Sequence, residues 1–144
     1  MSGDHLFEES KHTSDPGKSS WATTAYLDRD GKFWFLSKYE NHRLVDGDHF
    51  VTLVTALDEG GNVVAVLKDV TGLDPDPLDI PNKKQATQEG YLPAELVQKV
   101  RKIVIEHSMW DKVNDKEFWK KVAQISSQVA GWLANRDGNG LKIP

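Results

Sequence analysis

The stretch HFVTLVTALDEGGNVVAVLKDV, residues 49–70, decides the fold class of this chain. Two runs of β-branched and aliphatic residues, 49–57 and 62–70, flank the turn sequence DEGG at 58–61. Such runs, separated by a short turn that contains glycine, are typical of a β-hairpin. Both runs are apolar on both faces, so each side of the hairpin must be covered. The covering element is left open: a helix of this chain, the N-terminal segment or another subunit.

A second hairpin is predicted upstream of the first. The runs WATTAYL (21–27) and KFWFLSKY (32–39) surround the turn sequence DRDG. Because consecutive strands joined by short turns usually pair in order, residues 21–70 predict a four-stranded antiparallel β-meander. Residues 71–91 contain Pro75 and Pro77 between aspartates, which favours an extended connection with no helix.

Two helices are predicted between residues 92 and 136. The second opens at Asn114, where Glu117 three residues later completes a capping box. The first begins at Pro93 and carries an apolar stripe at helical spacing, formed by Leu92, Leu96, Val100, Ile103 and His107.

The predicted fold class is therefore α+β. A four-stranded antiparallel meander is followed by two C-terminal helices packed on the sheet, all in one domain over 21–144 with a short tail at 137–144. Residues 1–20 are polar and lack periodicity, which predicts a disordered N-terminal tail.

Composition narrows the classes of function. The absence of cysteine excludes disulfides, thiolate zinc sites and cysteine nucleophiles. No run approaches the roughly 18 apolar residues of a membrane span, and the N-terminus does not resemble a secretory signal, so a cytoplasmic protein without membrane contact is predicted. The net charge of −4, with acidic residues interrupting the lysines of the predicted helices, also disfavours nucleic acid as a partner.

Histidines suggest the one possible catalytic cluster. In HRLVDGDHF (42–50) Asp46-Gly47 predicts a two-residue turn that places His42 and His49 diagonally on one face of a hairpin, roughly 7 Å apart. The turn supplies no third metal ligand, so no metal site and no cofactor are predicted. A small hydrolase or nuclease that uses His42 and His49 together with His107 is the catalytic alternative.

Tryptophans indicate binding. Among five in 144 residues, Trp34, Trp110 and Trp119 are the least obviously assigned to a core, and exposed large aromatic side chains usually mark an interface. The sequence thus favours a small non-catalytic domain that binds a protein partner or forms a homodimer, as an adaptor, inhibitor or dimerisation module. A further alternative is a binder of a small apolar ligand, which requires a cavity between sheet and helices.

Overall fold

The computed structural model describes residues 4–15, 19–41, 48–73, 82–109, 116–135 and 138–144. These residues are mostly in strands, with three short helices. The elements are, in chain order, β1 (His5–Asp15), β2 (Ser19–Asp28), β3 (Lys32–Asn41), β4 (Asp48–Leu57), β5 (Val63–Leu73), β6 (Asn82–Tyr91), α1 (Ala94–Val97), β7 (Lys102–Met109), α2 (Lys116–Gln124), α3 (Ser127–Leu133) and β8 (Gly140–Lys142).

The strands form two antiparallel sheets. Sheet A has the order β1-β2-β3-β6, and sheet B has the order β7-β4-β5-β8. The two predicted hairpins are confirmed as the β2–β3 and β4–β5 pairs. The single meander is wrong, because β3 and β4 belong to different sheets. Since β4 and β5 are apolar on both faces, they lie at the centre of a sheet that is covered on both sides.

The main core lies between the two sheets. From sheet A it takes the inward-facing rings of Phe33 and Phe35, both fully buried, and from sheet B it takes β-branched and small aliphatic side chains. Its buried members are Ala25, Leu27, Phe33, Phe35, Val54, Ala56, Val64, Ala65, Leu67, Leu92, Val100, Ile103 and Ile105. The structure is therefore a two-sheet sandwich and not a sheet with helices on one side.

Helices α2 and α3 cover the outer face of sheet B. They bury Val51, Leu53 and Val66 of the sheet against Val122, Val129 and Leu133 of the helices. This covering is the one that the apolar pattern of 49–70 requires. The predicted second helix is divided in two, because Ser126 has an extended ψ of 137° and its side chain caps α3 by accepting a hydrogen bond from the main-chain N–H of Gln128.

The predicted first helix is also wrong. Only Ala94–Val97 is helical, and Lys102–Met109 forms β7, which pairs with β4. Ile103, Ile105 and His107 are buried and the residues between them are only half-buried, so the period over this part of β7 is two. In so short a run, helical spacing and strand alternation fit several of the same apolar positions. The β-branched residues 103–105 favour the strand.

Two further segments predicted to lack regular structure are strands. Residues 5–15, in the predicted disordered tail, form β1, which pairs with β2 along nearly its whole length. Residues 82–91, in the predicted connection, form β6, which pairs with β3. Both are edge strands of sheet A, where one side of the backbone pairs and the other does not, so polar side chains are tolerated.

Gly31 fixes the position of the turn between β2 and β3. Gly31 has a φ of +97°, and a Cβ at this position would lie 2.4 Å from the main-chain oxygen of Leu92. The main-chain N–H of Leu92 donates to the oxygen of Gly31 at 2.8 Å. Only glycine meets both conditions, so this residue ties the β2–β3 turn to the end of β6.

Candidate binding surface

None of the elements that the structure describes covers the outer face of sheet A. Its side chains, at alternate positions of β1, β2, β3 and β6, are all exposed or half-buried. A central row of uncharged residues crosses the four strands at Ser10, Thr24, Leu36 and Thr87. The face therefore has an uncharged middle, and its aromatic and charged groups lie toward the two ends.

An aromatic ridge, formed by His5, Tyr26 and Trp34, lies on one side of this central row. Tyr26 and Trp34 are directly paired across β2 and β3, and their rings stack with centroids 4.5 Å apart. The His5 ring lies 4.3 Å from that of Tyr26. Tyr91, in the next row outward, is 61% exposed. Cross-strand pairing thus assembles a group of rings that remains open to solvent.

Charged partners fix the orientation of the ridge. The indole Nε1 of Trp34 donates to Oδ2 of Asp28 at 2.9 Å, and the other oxygen of Asp28 contacts Nδ1 of His5. Lys32 places its Nζ 4.9 Å from the centre of the Trp34 ring and 3.1 Å from Glu89. Partial burial, together with the charges of Glu8 and Asp28, raises the pKa of Tyr26. The rings are therefore held in place, and the ridge is acidic at its edges.

A groove of about 530 Å³ lies on the other side of the central row. Its outward-facing side chains include His12, Ala22, Lys38, Glu40 and Lys83. Trp21 and Tyr39 also border it, but both are almost fully buried because strand alternation turns their side chains into the core. The small side chain of Ala22 leaves the floor of the groove open, and lysines surround it.

Between the sheets, a buried polar cluster surrounds His107. Its Nδ1 lies 2.8 Å from Oγ1 of Thr13, and its Nε2 lies 2.7 Å from Oγ1 of Thr23. Thr23 in turn shares a hydrogen bond of 2.6 Å with Ser37. Burial, with smaller contributions from the charges of Lys11 and His12, lowers the pKa of His107 to about 3. The ring is neutral at pH 7, and both nitrogens are engaged by hydroxyl groups, an arrangement that fixes β7 against β1 and β2.

A second buried cluster surrounds Asp69, which is 3% exposed. Its carboxylate accepts hydrogen bonds from the Tyr39 hydroxyl at 3.0 Å, from Nε2 of Gln88 at 2.8 Å and from Oγ1 of Thr71. Burial and the charge of Asp69 raise the pKa of Tyr39, so its hydroxyl stays protonated and donates a hydrogen bond to Asp69. These donors satisfy a carboxylate that would otherwise be costly to bury. The cluster ties β5 of one sheet to β3 and β6 of the other.

The predicted site residues are distributed as follows. His42 and Trp110 lie outside the described residues, and so do the side chains of His49, in β4, and Trp119, in α2. His107 lies in the interior, in contact with Thr13 and Thr23. Trp34 lies in the aromatic ridge. Within the described part of the chain, no three His, Asp or Glu side chains converge to form a metal site.

The ridge and groove contain residues that the sequence did not single out. Tyr26 and Ala22 lie beside Trp34 and Lys38 because β2 pairs with β3, and His5 joins them only because β1 pairs with β2. The alternation of Ala22, Thr24 and Tyr26 opposite the buried positions of β2 was the available signal. This alternation does not indicate His5, because the position of His5 depends on residues 5–15 forming a strand.

None of the helices in the described residues is both long and apolar enough to cross a membrane. Comparison with protein-family models, with curated proteins and with solved structures finds no significant match for this chain.

Proposed function

We propose that this chain is a non-catalytic, self-associating domain in which two copies pack sheet A against sheet A. One observation carries the proposal. The aromatic ridge and the groove lie on the same outer face, on opposite sides of the central row. The Tyr26–Trp34 pair of the ridge is one row to one side, and the Ala22–Lys38 pair of the groove is one row to the other. A surface that carries both a projection and a matching recess, symmetrically placed, is suited to bind a second copy of itself.

Symmetry explains how each ridge would reach a groove. Consider a two-fold axis that lies between the two copies, parallel to the central row and across the strands. It turns each strand end for end, so residues one row above the centre oppose residues one row below it. The ridge of each copy then lies over the groove of the other, and the contact closes on itself as a dimer. Facing sheets pack about 10 Å apart with strands nearly aligned.

Charges also match in this arrangement. On β3, Trp34 comes opposite Lys38 of the second copy, which favours a cation–π contact. On the same strand, Lys32 comes opposite Glu40.

The flanking strands β1 and β6 also place compatible side chains opposite each other. On β1, Glu8 comes opposite His12, and on β6, Tyr91 comes opposite Lys83. None of these pairs brings two like charges together, as an isologous interface requires.

The size of the face is adequate for a modest dimer. Four strands about 4.8 Å apart, with some ten residues at about 3.3 Å each, give a footprint of roughly 600 Å² per copy. The total of about 1,200 Å² lies at the lower end of the range for specific protein interfaces. A reversible dimer with a dissociation constant in the micromolar range is therefore expected.

Two substitutions test this dimer, one that blocks the groove and one that removes part of the ridge. Ala22→Arg places a long charged side chain where the ridge of the second copy would enter, and Trp34→Ala removes the largest part of the ridge. Sedimentation equilibrium should show a dimer for the native chain. It should show a monomer for Ala22→Arg and a dissociation constant raised at least tenfold for Trp34→Ala, as for central aromatic residues of interfaces.

The matched control is Ala123→Arg, the same substitution at an exposed position of α2 on the far side of the sandwich. It should dimerise like the native chain. Circular dichroism and thermal unfolding confirm that each variant is folded. A native chain that is monomeric at 100 µM, or a folded Ala22→Arg that still dimerises, would contradict the proposal. A monomer that instead binds a different protein through this face would support the adaptor role in its place.

A further inference from the structure

A cleft of about 330 Å³ lies between α2 and the outer face of sheet B, far from the proposed dimer face. Its floor consists of outward-facing side chains of β4, β5 and β7, and its roof consists of Val122 of α2 and Ile125, which directly follows α2. The apolar members are Leu53, Leu57, Val63, Val104, Val122 and Ile125. The described side chains of the helices therefore cover sheet B without filling the whole space above it.

Among the residues that the structure describes, three charged side chains border this cleft. Lys102 and Glu106 lie on β7, two residues on either side of Val104, and Lys121 lies on α2. Lys121 Nζ lies 2.8 Å from Oε1 of Glu106, so these two charges largely neutralise each other. Lys102 adds one positive charge to a described lining that is otherwise apolar except for Thr55 and Gln124.

We infer that this cleft binds a small aliphatic carboxylic acid, with its chain along the apolar floor and its carboxylate beside Lys102. Apolar walls with a small number of polar groups that fix orientation are the general design of small-molecule sites. The net positive border selects an anionic end group over a neutral or cationic one.

The volume gives the approximate size of the ligand. Since a water molecule takes up about 30 Å³ in the liquid, 330 Å³ corresponds to about ten or eleven non-hydrogen atoms. Octanoate has about that size. Longer chains would extend beyond the cleft into solvent and gain little from their additional methylene groups.

The first test is a series of straight-chain carboxylates from butanoate to decanoate, titrated by calorimetry. Each buried methylene contributes about 0.8 kcal/mol, so affinity should rise about fourfold per carbon and level off near eight. Octylamine should bind at least tenfold more weakly than octanoate. An affinity that rises steadily through decanoate, or that is equal for octanoate and octylamine, would overturn the inference.

Variants locate the binding. Val104→Trp fills the cleft with an apolar side chain and should abolish octanoate binding. Lys102→Gln should weaken octanoate several-fold and leave 1-octanol unchanged, while Lys99→Gln, a matched exposed lysine outside the cleft lining, should change neither. Chemical shifts of the Val122 and Ile125 methyl groups should move on titration. Unaltered binding to a folded Val104→Trp would place the ligand elsewhere and overturn the site.

Discussion

His107 is the residue whose chemistry depends most on the fold. It sits between two threonine hydroxyls from the other sheet, with its ring 4.9 Å from that of Trp21. Protonation would place a charge in a buried site that already contains its hydrogen-bond partners. The hydroxyls could accept from a charged ring, but burial outweighs this effect and lowers the pKa to about 3. Through His107, the stability of the packing between the two sheets therefore depends on pH.

The pH dependence of stability follows from this coupling. An unfolded histidine titrates near 6.5 and the folded one near 3, so between these values the unfolded state binds more protons. The stabilisation is fully present above pH 6.5 and is lost as pH falls toward 3, by up to about 5 kcal/mol over the whole window. Urea unfolding at a series of pH values measures this loss.

His107→Gln provides the comparison, because glutamine does not titrate. Its free energy of unfolding should fall less steeply than that of the native chain between pH 6.5 and 4, even if the variant is less stable at pH 7. His12→Gln, which removes only a smaller cause of the lowered pKa of His107, should change this slope far less. Equal slopes for the native chain and His107→Gln would show that the buried ring is not the source.

Individual positions were predicted unevenly from the sequence. The exposed side of β3, opposite Phe33 and Phe35, could be found from alternation alone, and Trp34 lies there. Of the neighbours that make Trp34 part of a ridge, Tyr26 comes from the predicted β2–β3 hairpin, whereas His5 depends on the pairing of β1 with β2. Alternation along a strand reveals which face of the sheet a residue occupies. Its neighbours on that face are set by pairing with strands that can be distant in sequence.

At the scale of elements, hairpins were predictable and sheet membership was not. The β2–β3 and β4–β5 pairs follow from local turns, which are encoded in adjacent residues. The edge strands β1 and β6 carry mostly polar side chains, and a ladder of backbone hydrogen bonds stabilises them without an apolar pattern. Similarly, β7 resembled a helix because eight residues contain too few repeats to separate a period of 2 from one of 3.6.

The helix layer should be required for the stability of sheet B. Val129 of α3 is fully buried against the apolar outer face formed by Val51, Leu53 and Val66. Val129→Ala removes two methyl groups and leaves a small cavity, so a loss of about 1–3 kcal/mol is expected in urea unfolding.

Gln128→Ala is the matched control, since it changes an exposed residue of the same helix. It should alter stability by less than about 0.5 kcal/mol. If the two variants were equally stable, α3 would not be packed on the sheet as described. A smaller dependence of the unfolding free energy on urea concentration for Val129→Ala would indicate instead that the helix layer unfolds separately from the sandwich.

For the whole molecule, the decisive property is the difference between its two outer faces. Sheet B has an apolar outer face, which α2 and α3 cover. Sheet A has an outer face of mixed aromatic, uncharged and charged side chains, which remains open. The 49–70 pattern predicted that a cover was needed, but it did not indicate that a second sheet would cover the opposite side. The proposed dimer uses the remaining open face, and its charges make the orientation testable.

Opposite charge changes in two separate variants test that orientation. The proposed axis places Lys32 of one copy against Glu40 of the other, twice per dimer. In Lys32→Glu alone, two carboxylates oppose each other at both places, and in Glu40→Lys alone two ammonium groups do. Each variant should therefore dimerise several-fold more weakly than the native chain at low salt. Both substitutions also disturb contacts within a copy, with Glu89 and Lys83 respectively.

Mixing the two variants separates these effects. In a mixed dimer, the glutamate introduced at position 32 of one copy faces the lysine introduced at position 40 of the other. The remaining native Lys32 faces the remaining native Glu40, so both pairs become attractive. The contacts within each copy are the same before and after mixing. Sedimentation of the equimolar mixture at low salt should therefore show more dimer than either variant alone, and the gain should fall as salt is raised to 0.5 M. A mixture that behaves as the average of its components would exclude the proposed axis, because no other feature of either variant changes on mixing.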